Sequence, residues 1–558
     1  MIYCIGTVAG IILLAMLSVF TTEDSENKVV VLEKTAVFST VYFSMLYCLF
    51  SVFLFAIRAF SVGRTLVLVD LAIMLTFAIK LLLNKEPKVC FNKITNNTEI
   101  KENFFPYLAI IFCLIISAGG YGFFGMGQDQ GVYQTEAINL YYGDNSWFGH
   151  IEEYDNLVDG EYKEYFSSLL SGMLGRDQFM SWSEPDTSFL IDSKSATAGD
   201  GIWHGIPAYA ALLALWSRMF GISDMMGLQT VLYASLLFVF AWLLKKENIN
   251  SWITAIAVLL LGMCPQIIFV KKSTLTEMFF AVMIMLYLFY AGERRSIWPV
   301  VVLCFYHISI FTLIPLFLLH QWGLHIRSNM ENFADSLVLG GEKKQNKIST
   351  YKGSEYLTNA NIITTAYLVG FGITYLIQPR YVSLNYVHAI QNLHLSEAHV
   401  IPVVILLGVM YYACSFLLSR KNICGWISRF FNGKNFVWVI RAVLLITFAF
   451  TLYYIVKYSM SYSSLIRLSL PAYCILSGVF VMPVLIIMLF AGKYLSKVNV
   501  DSEEQSNKYL ELSNTKKVIY ISLFVWTTCI FSIVIHPSVK YYYYYGRYHM
   551  PFVALISS

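Results

Sequence analysis

The sequence predicts an all-α polytopic membrane protein: a bundle of about 13–15 membrane helices with a large acidic outer loop that carries short helices. Hydrophobic residues make up 57% of the chain and charged residues 13%, and the mean hydropathy is +0.60. This composition excludes an ordinary soluble domain. The net charge of +4 is spread over loops between apolar runs, so nucleic-acid binding is not expected.

Apolar windows of about twenty residues, the length that crosses a bilayer as a helix, mark the predicted membrane helices in chain order. The first window, 3–20, has no basic residue before it and no clear cleavage site, which favours a retained helix over a signal peptide. The run Trp298 to Leu324 is too long and too interrupted for one span and is predicted as two short helices that turn near His307. A last apolar run starts near Tyr548. The other predicted helices are 36–57, 64–83, 104–124, 228–244, 251–270, 274–291, 360–379, 401–419, 436–456, 468–492 and 518–537.

The distribution of basic residues predicts which side of the membrane each loop faces, because cytoplasmic loops collect Lys and Arg. Five lysines precede the fourth helix and place that segment inside: Lys80, Lys85, Lys88, Lys93 and Lys101. The polar segment 126–203 contains fourteen Asp and Glu residues against three basic ones, as expected for an exterior loop. Arg58 and Arg64 land outside and disagree with this orientation. We therefore expect a multi-pass protein of the cell membrane whose functional site lies on the outer face.

Two regions are predicted from this layout. Residues 1–103 supply three N-terminal membrane helices and a basic inner loop. Residues 104–558 are predicted to form a second membrane module. Within it we expect an outer loop at 126–203, an amphipathic helix at 205–220 lying on the outer surface, and an inner basic loop at 326–359 with room for a small helical connector.

Unusual polar and charged residues collect on the predicted outer face. Charged groups at membrane depth cost about 2.5–3.5 kcal/mol each, so several facing one cavity need compensation, which a bound anionic ligand would provide. The candidates are Asp129, Gln130, Tyr133, Glu136, His204, Lys271, Lys272, Glu277, His307, Arg547 and Tyr548.

Asp129 stands where an apolar helix meets the acidic loop, which is where a membrane enzyme would hold a base. If Asp129 caps a helix, Tyr133 and Glu136 project along the same face, with the two carboxylates about 10 Å apart along the axis. The plain alternative is that Asp129 only caps a surface helix.

The basic candidates also have plain alternatives. Lys271 and Lys272 at a helix end would snorkel to the interface, and His307 at a turn would be an ordinary interfacial histidine. Arg547 follows five consecutive tyrosines, which form an aromatic belt or accompany a guanidinium that binds a lipid-linked phosphate. No metal site is predicted, because the histidines His388, His394 and His399 fit no standard spacing and the cysteines lie mostly in apolar runs.

The order of these motifs resembles the GT-C superfamily of membrane glycosyltransferases, which includes protein O-mannosyltransferases and aminoarabinose transferases. The residues that carry the resemblance are Asp129 to Ala137, Gly205 to Gly221, Pro265 to Glu277, the double helix around His307, and Arg547 to Pro551. It covers residues 104–558. The chain departs from the family pattern in two ways. Three helices precede the helix that leads into the acidic loop, and Gln130 stands where many members carry a second acid.

The resemblance implies inverting transfer of a sugar from a polyprenyl-phosphate donor to an acceptor hydroxyl, in modification of a cell-envelope glycan or glycolipid. Asp129 would take the acceptor's proton and Glu136 would stabilise the oxocarbenium-like transition state. Arg547, with Lys271 or Lys272, would bind the donor phosphate. Substrate contacts would come from Tyr133, Gln130, His204, Glu277, His307 and Tyr548. The partners implied are the bilayer, the lipid-linked donor and a glycan, lipid or protein acceptor.

Two other functions stay open. A polysaccharide polymerase or ligase of the O-antigen type also uses polyprenyl-linked glycans, but it usually carries its large outer loop later in the chain. A transporter or flippase for lipid-linked glycans would predict inverted repeats, and the sequence has no such internal symmetry.

Overall fold

The structure is a computed structural model. It describes residues 1–20, 32–83, 96–120, 129–143, 148–150, 176–179, 200–203, 205–246, 249–291, 293–308, 310–338, 346–378, 382 and 397–431. The predicted helices 436–456, 468–492 and 518–537 and the final run from Tyr548 lie outside the described residues.

The first three helices begin and end close to the predicted bounds, because apolar runs of this length pair all their backbone groups internally only as helices. They are α1 (Ile2–Phe20), α2 (Leu32–Ala56) and α3 (Val62–Leu83). Helix α4 (Asn96–Ile116) begins earlier than the predicted 104–124. It also ends earlier, since Ser117 to Gly120 leave the helix and Gly119 adopts a φ of 79°. The next helix, α5 (Asp129–Tyr142), begins at Asp129, where a helix start was predicted.

The predicted span 251–270 is divided into two helices. After α6 (Ala208–Phe220) and α7 (Gly227–Lys246), the chain forms α8 (Ser251–Gly262) and the short α9 (Pro265–Lys271). The break falls at Pro265, because a proline disfavours helical geometry in the residue before it, and Cys264 is extended. A polar turn then leads into α10 (Glu277–Phe289).

The double helix expected around His307 is present, but its second member is long. Helix α11 (Ile297–Leu303) ends just before His307, and α12 (Ile310–Val338) begins just after it. Helix α13 (Asn346–Ile377) then packs along α12. The segment 326–359, expected as a loop, is therefore mostly helical, because these two helices extend past their apolar parts. Helices α14 (Val400–Ser419) and α15 (Lys421–Phe431) follow.

The core of the bundle lies around α10. Every residue from Glu277 to Leu288 is buried, and α10 packs against α7 and α11. Helix α6 is buried as well, with all residues from Ala208 to Leu215 enclosed by neighbouring helices. The expectation of an amphipathic surface helix at 205–220 is therefore wrong: α5, α2 and α7 cover α6. Its small alanines allow these neighbours to approach closely.

The three N-terminal helices share this core. Helix α2 packs against α6, α7, α11 and α13. The ring of Phe38 lies 5.4 Å from Trp242 in an edge-on contact, and Phe53 lies 5.4 Å from Phe305. Residues 1–83 are thus joined to the later helices by helix packing and aromatic contacts, and the functional division at residue 103 stays a prediction.

The acidic loop contains a small antiparallel sheet in addition to α5. Its strands are β1 (Phe148–His150), β2 (Arg176–Phe179) and β3 (Asp200–Trp203), with β3 between the other two. Phe148 pairs with Ile202, and the β2 register is irregular between Arg176 and Gln178. The short helices expected in this loop are represented among the described residues by α5, and the other described segments are strands.

Several helices are suited to a bilayer. Among the described residues, five are long and apolar enough to cross one: Glu33–Ala56, Val62–Leu82, Ile222–Lys246, Glu355–Ile377 and Val400–Ser419. Shorter apolar helices lie between them. The chain is therefore mostly helical with the features of a membrane protein, whereas the number of crossings and their direction stay predictions.

Candidate functional site

The candidate site is built on the packing of α5 against α6. Tyr133, Glu136, Ala137 and Leu140 form the buried stripe of α5, at the spacing of one helical face. The Tyr133 ring meets the Tyr209 ring of α6 edge-on, with centroids 5.6 Å apart. Glu136 is 1% exposed, so the second predicted catalytic acid lies inside this interface.

Gly205 makes this packing possible. Its φ is 73°, a conformation that side chains with a Cβ rarely adopt. A Cβ at this position would lie 2.9 Å from the Tyr133 hydroxyl oxygen. The glycine therefore lets the chain enter α6 against the tyrosine.

Three buried tyrosines converge above the first turn of α10, and we call Tyr133, Tyr209 and Tyr306 the tyrosine cluster. The Tyr209 and Tyr306 ring centroids are 6.3 Å apart. Tyr306 donates a hydrogen bond to the Thr276 carbonyl, at 2.9 Å. The side-chain amide of Gln229 donates to the Tyr209 hydroxyl and, at 2.8 Å, to the Leu275 carbonyl. The hydrogen bonds to the Leu275 and Thr276 carbonyls hold the turn that leads to Glu277.

Glu277 is the acid of this cluster. It occupies the first position of α10, where the helix dipole favours a negative charge, and it is 4% exposed. The Thr276 hydroxyl donates to its Oε2, at 3.3 Å. Burial raises the pKa of Tyr209 well above its ordinary value, and the charge of Glu277 raises it further. The Tyr209 hydroxyl therefore stays neutral and can donate a hydrogen bond.

His307 lies next to the same turn. Its ring centroid is 5.5 Å from Phe280, one turn into α10, and 6.4 Å from Tyr306. The residue is half-buried. The structure thus brings together four of the predicted site residues, Tyr133, Glu277, His307 and, on the same stripe of α5, Glu136.

Lys271 has a structural role at the end of α4. Its ammonium group is 2% exposed and donates to the carbonyls of Ser117 and, at 2.9 Å, Gly119, just beyond the end of α4. Burial and the neighbouring Lys272 lower the pKa of Lys271. Cations stabilise the carbonyl end of a helix, so this lysine holds α9 to α4. Lys272 is half-buried and follows α9 as its C-cap, and its role at a donor phosphate stays a prediction.

The remaining predicted residues cannot be compared with this geometry. Asp129 and Gln130 are the first two residues of α5, but their side chains lie outside the described residues. His204, Arg547 and Tyr548 also lie outside them. Their assignments stay predictions.

Sequence reasoning missed several polar residues that the structure singles out. Gln229 lies in the predicted membrane helix 228–244, and Tyr209 lies in the predicted surface helix 205–220. A glutamine inside an apolar run is itself an indication of a buried polar contact. Asp70 interrupts the apolar span Val62–Leu82, and its Oδ1 is buried without a hydrogen-bond partner among the described residues. That oxygen lies against Gly10 of α1, where a Cβ would be only 2.5 Å away.

A second polar network lies deeper in the bundle. The Tyr287 hydroxyl pairs with His320 Nδ1, Gln321 donates to Tyr287 at 3.4 Å, and Asn359 donates to Gln321 at 3.2 Å. These side chains link α10, α12 and α13, as interhelical hydrogen bonds do in membrane bundles. Within the described part of the chain, no group of three or more His, Cys, Asp or Glu side chains is placed to hold a metal ion.

Comparison with protein-family models, with curated proteins and with solved structures finds no match for this chain.

Proposed function

We propose that the protein is a membrane glycosyltransferase that moves a sugar from a polyprenyl-phosphate donor to an acceptor hydroxyl, with inversion at the anomeric carbon. The observation that carries the proposal is the tyrosine cluster beside the buried carboxylate of Glu277, next to the helix that begins at Asp129. Buried ionisable groups in a membrane protein usually mark a functional site.

The cluster positions a carboxylate for work on a sugar. Its tyrosines are buried and hold the turn before Glu277, since Tyr306 donates to the Thr276 carbonyl and Tyr209 accepts from Gln229. A carboxylate near the anomeric carbon stabilises the positive charge of an oxocarbenium-like transition state. The charge of Glu277 acts on Tyr209 and Tyr306 of the cluster, so we assign this electrostatic role to Glu277.

In the proposed reaction, the acceptor oxygen attacks the anomeric carbon while the bond from that carbon to the phosphate oxygen breaks. Asp129 accepts the proton of the acceptor hydroxyl, and the polyprenyl phosphate leaves with the bonding electron pair. Lys272 and Arg547 stabilise the charge on the departing phosphate. Lys271 is not needed for this step, because its ammonium group already holds the end of α4.

The test uses the purified full chain in lipid nanodiscs with polyprenyl-phosphate-linked hexoses and pentoses as donors. The wild-type chain should release polyprenyl phosphate when an acceptor glycan or glycolipid is present. Asp129→Asn should slow the reaction by about 10²–10⁴-fold, the usual contribution of a positioned base. Glu277→Gln should lower kcat more than it changes donor KM, because the charge acts in the transition state.

The matched control is Asp224→Asn, which removes an exposed carboxylate from the turn after α6. It should leave the rate unchanged. If Asp129→Asn inserts normally and transfers sugar at the wild-type rate, the assignment of the base is wrong. A wild-type chain that moves lipid-linked sugars across the bilayer without consuming them would favour a transporter.

A further inference from the structure

A cluster of cations lies at the end of the bundle where α3 ends and α11 begins, away from the tyrosine cluster. Lys80 is in the last turn of α3, and Arg294 and Arg295 form the short 3-10 turn before α11. Because a short turn joins α2 to α3, the end of α3 lies beside the start of α2, where the Phe38 ring packs 5.7 Å from Tyr290, the ring under the Arg295 guanidinium. These residues are far apart in the sequence, so only the fold brings them together. We call Lys80, Arg294 and Arg295 the basic edge.

The acid nearest in sequence does not neutralise the basic edge. Glu293 forms an ion pair with Lys246, at 3.1 Å, and Lys246 also donates to the Phe289 carbonyl, at 2.7 Å. Both Arg294 and Arg295 are exposed. Among the described residues, no carboxylate pairs with the three cations of the basic edge. Like charges at the protein surface repel each other weakly in water, and an anion bound between them would relieve that repulsion.

The residues around the basic edge suit the headgroup region of a bilayer. The guanidinium of Arg295 lies over the Tyr290 ring, 6.0 Å from its centroid, which limits the arginine's freedom. Trp298, one turn further along, is 54% exposed, and tryptophan favours the headgroup region of a bilayer. On α3, Leu75 and Ile79 are exposed within the two turns before Lys80. An apolar helix face therefore leads directly to the cations.

We propose that the basic edge binds the phosphate of an anionic phospholipid, whose acyl chain lies along the exposed apolar side of α3. The membrane-spanning part of α3 ends at Leu82, two residues after Lys80, so the cations lie at the depth of the headgroups. Basic groups between membrane helices are a known means of binding anionic lipids. A soluble anion would make no use of Leu75, Ile79 or Trp298.

The experiment measures lipid binding to the purified full chain. Nanodiscs of phosphatidylcholine receive increasing fractions of a fluorescent phosphatidylglycerol, and energy transfer from the protein's tryptophans reports lipid held next to the chain. The wild type should enrich phosphatidylglycerol over an equally labelled phosphatidylcholine. The triple variant Lys80→Gln, Arg294→Gln, Arg295→Gln should lose most of that enrichment, since each basic residue near an anionic surface strengthens binding by about fivefold.

The control variant is Arg58→Gln with Arg64→Gln, which removes two exposed cations from the opposite end of α2 and α3. It should keep the enrichment, and so should the charge-preserving Arg295→Lys. Equal enrichment in the triple variant and the wild type overturns the proposal. Displacement of the lipid by millimolar inorganic phosphate would show a site for free anions, and that outcome also overturns it.

Discussion

Replacing Lys271 by methionine separates a structural role for this lysine from a role in binding a donor phosphate. Methionine keeps the length and the apolar stem but removes the ammonium group that donates to the carbonyls beyond α4. Ser117 is fully buried, so its carbonyl would lose its partner without access to water, whereas Gly119 is exposed and its carbonyl can be hydrated.

The cost follows from this difference. One buried carbonyl left without a partner costs about 1–3 kcal/mol, and the lost interaction with the helix end adds up to about 1 kcal/mol. Lys271→Met should therefore lower the free energy of unfolding by about 1–4 kcal/mol. Unfolding in detergent micelles with increasing SDS, followed by tryptophan fluorescence, measures this value. Lys272→Met is the matched control and should cost less than about 1 kcal/mol, because Lys272 is half-buried.

The same pair of variants bears on catalysis. With a polyprenyl-phosphate sugar, Lys272→Met should raise donor KM while its stability stays near the wild type. If instead Lys271→Met is as stable as the wild type and raises donor KM, the lysine serves the phosphate and our assignment of it to α4 is wrong.

Two further predictions concern packing at other points of the bundle. Gly10→Ala should lower the free energy of unfolding by about 1–3 kcal/mol, because the new Cβ would lie 2.5 Å from Oδ1 of Asp70. The control is Gly63→Ala, whose Cβ would meet nothing closer than 3.5 Å. The control should be neutral or stabilising in the same SDS titration. Gln229→Leu should cost about 1–3 kcal/mol because it removes the donor shared by the Leu275 carbonyl and the Tyr209 hydroxyl. In a double-mutant cycle with Tyr209→Phe, a coupling energy near zero would contradict that hydrogen bond.

Much of the helical layout could be predicted from local pattern. The start of α5 at Asp129 and the turn at His307 both follow from residues that interrupt apolar runs. Pro265 marks the break before α9 in the sequence itself, but the hydropathy of 251–270 as a whole predicts one span. Helix α12 extends well past its apolar part, because polar residues continue a helix as readily as apolar ones.

The environment of each helix could not be predicted in the same way. The segment 205–220 has an apolar face and a polar end, which suggests a surface helix, yet five other helices pack around α6. Hydrophobic periodicity tells which side of a helix avoids water, but it does not tell how many neighbours share that helix. In a membrane protein the lipid-facing side is apolar too, which weakens the pattern further.

The amino-acid sequence by itself determined the class of this protein and the approximate position of its helices, because a chain this apolar satisfies its backbone hydrogen bonds in a bilayer only as helices. Tertiary structure alone decided which polar groups meet. Lys271 finds its acceptors at the end of α4, and Tyr306 reaches the carbonyl before Glu277. Helical periodicity is a property of a few neighbouring residues, whereas these partners are chosen by the packing of helices that lie far apart in the chain.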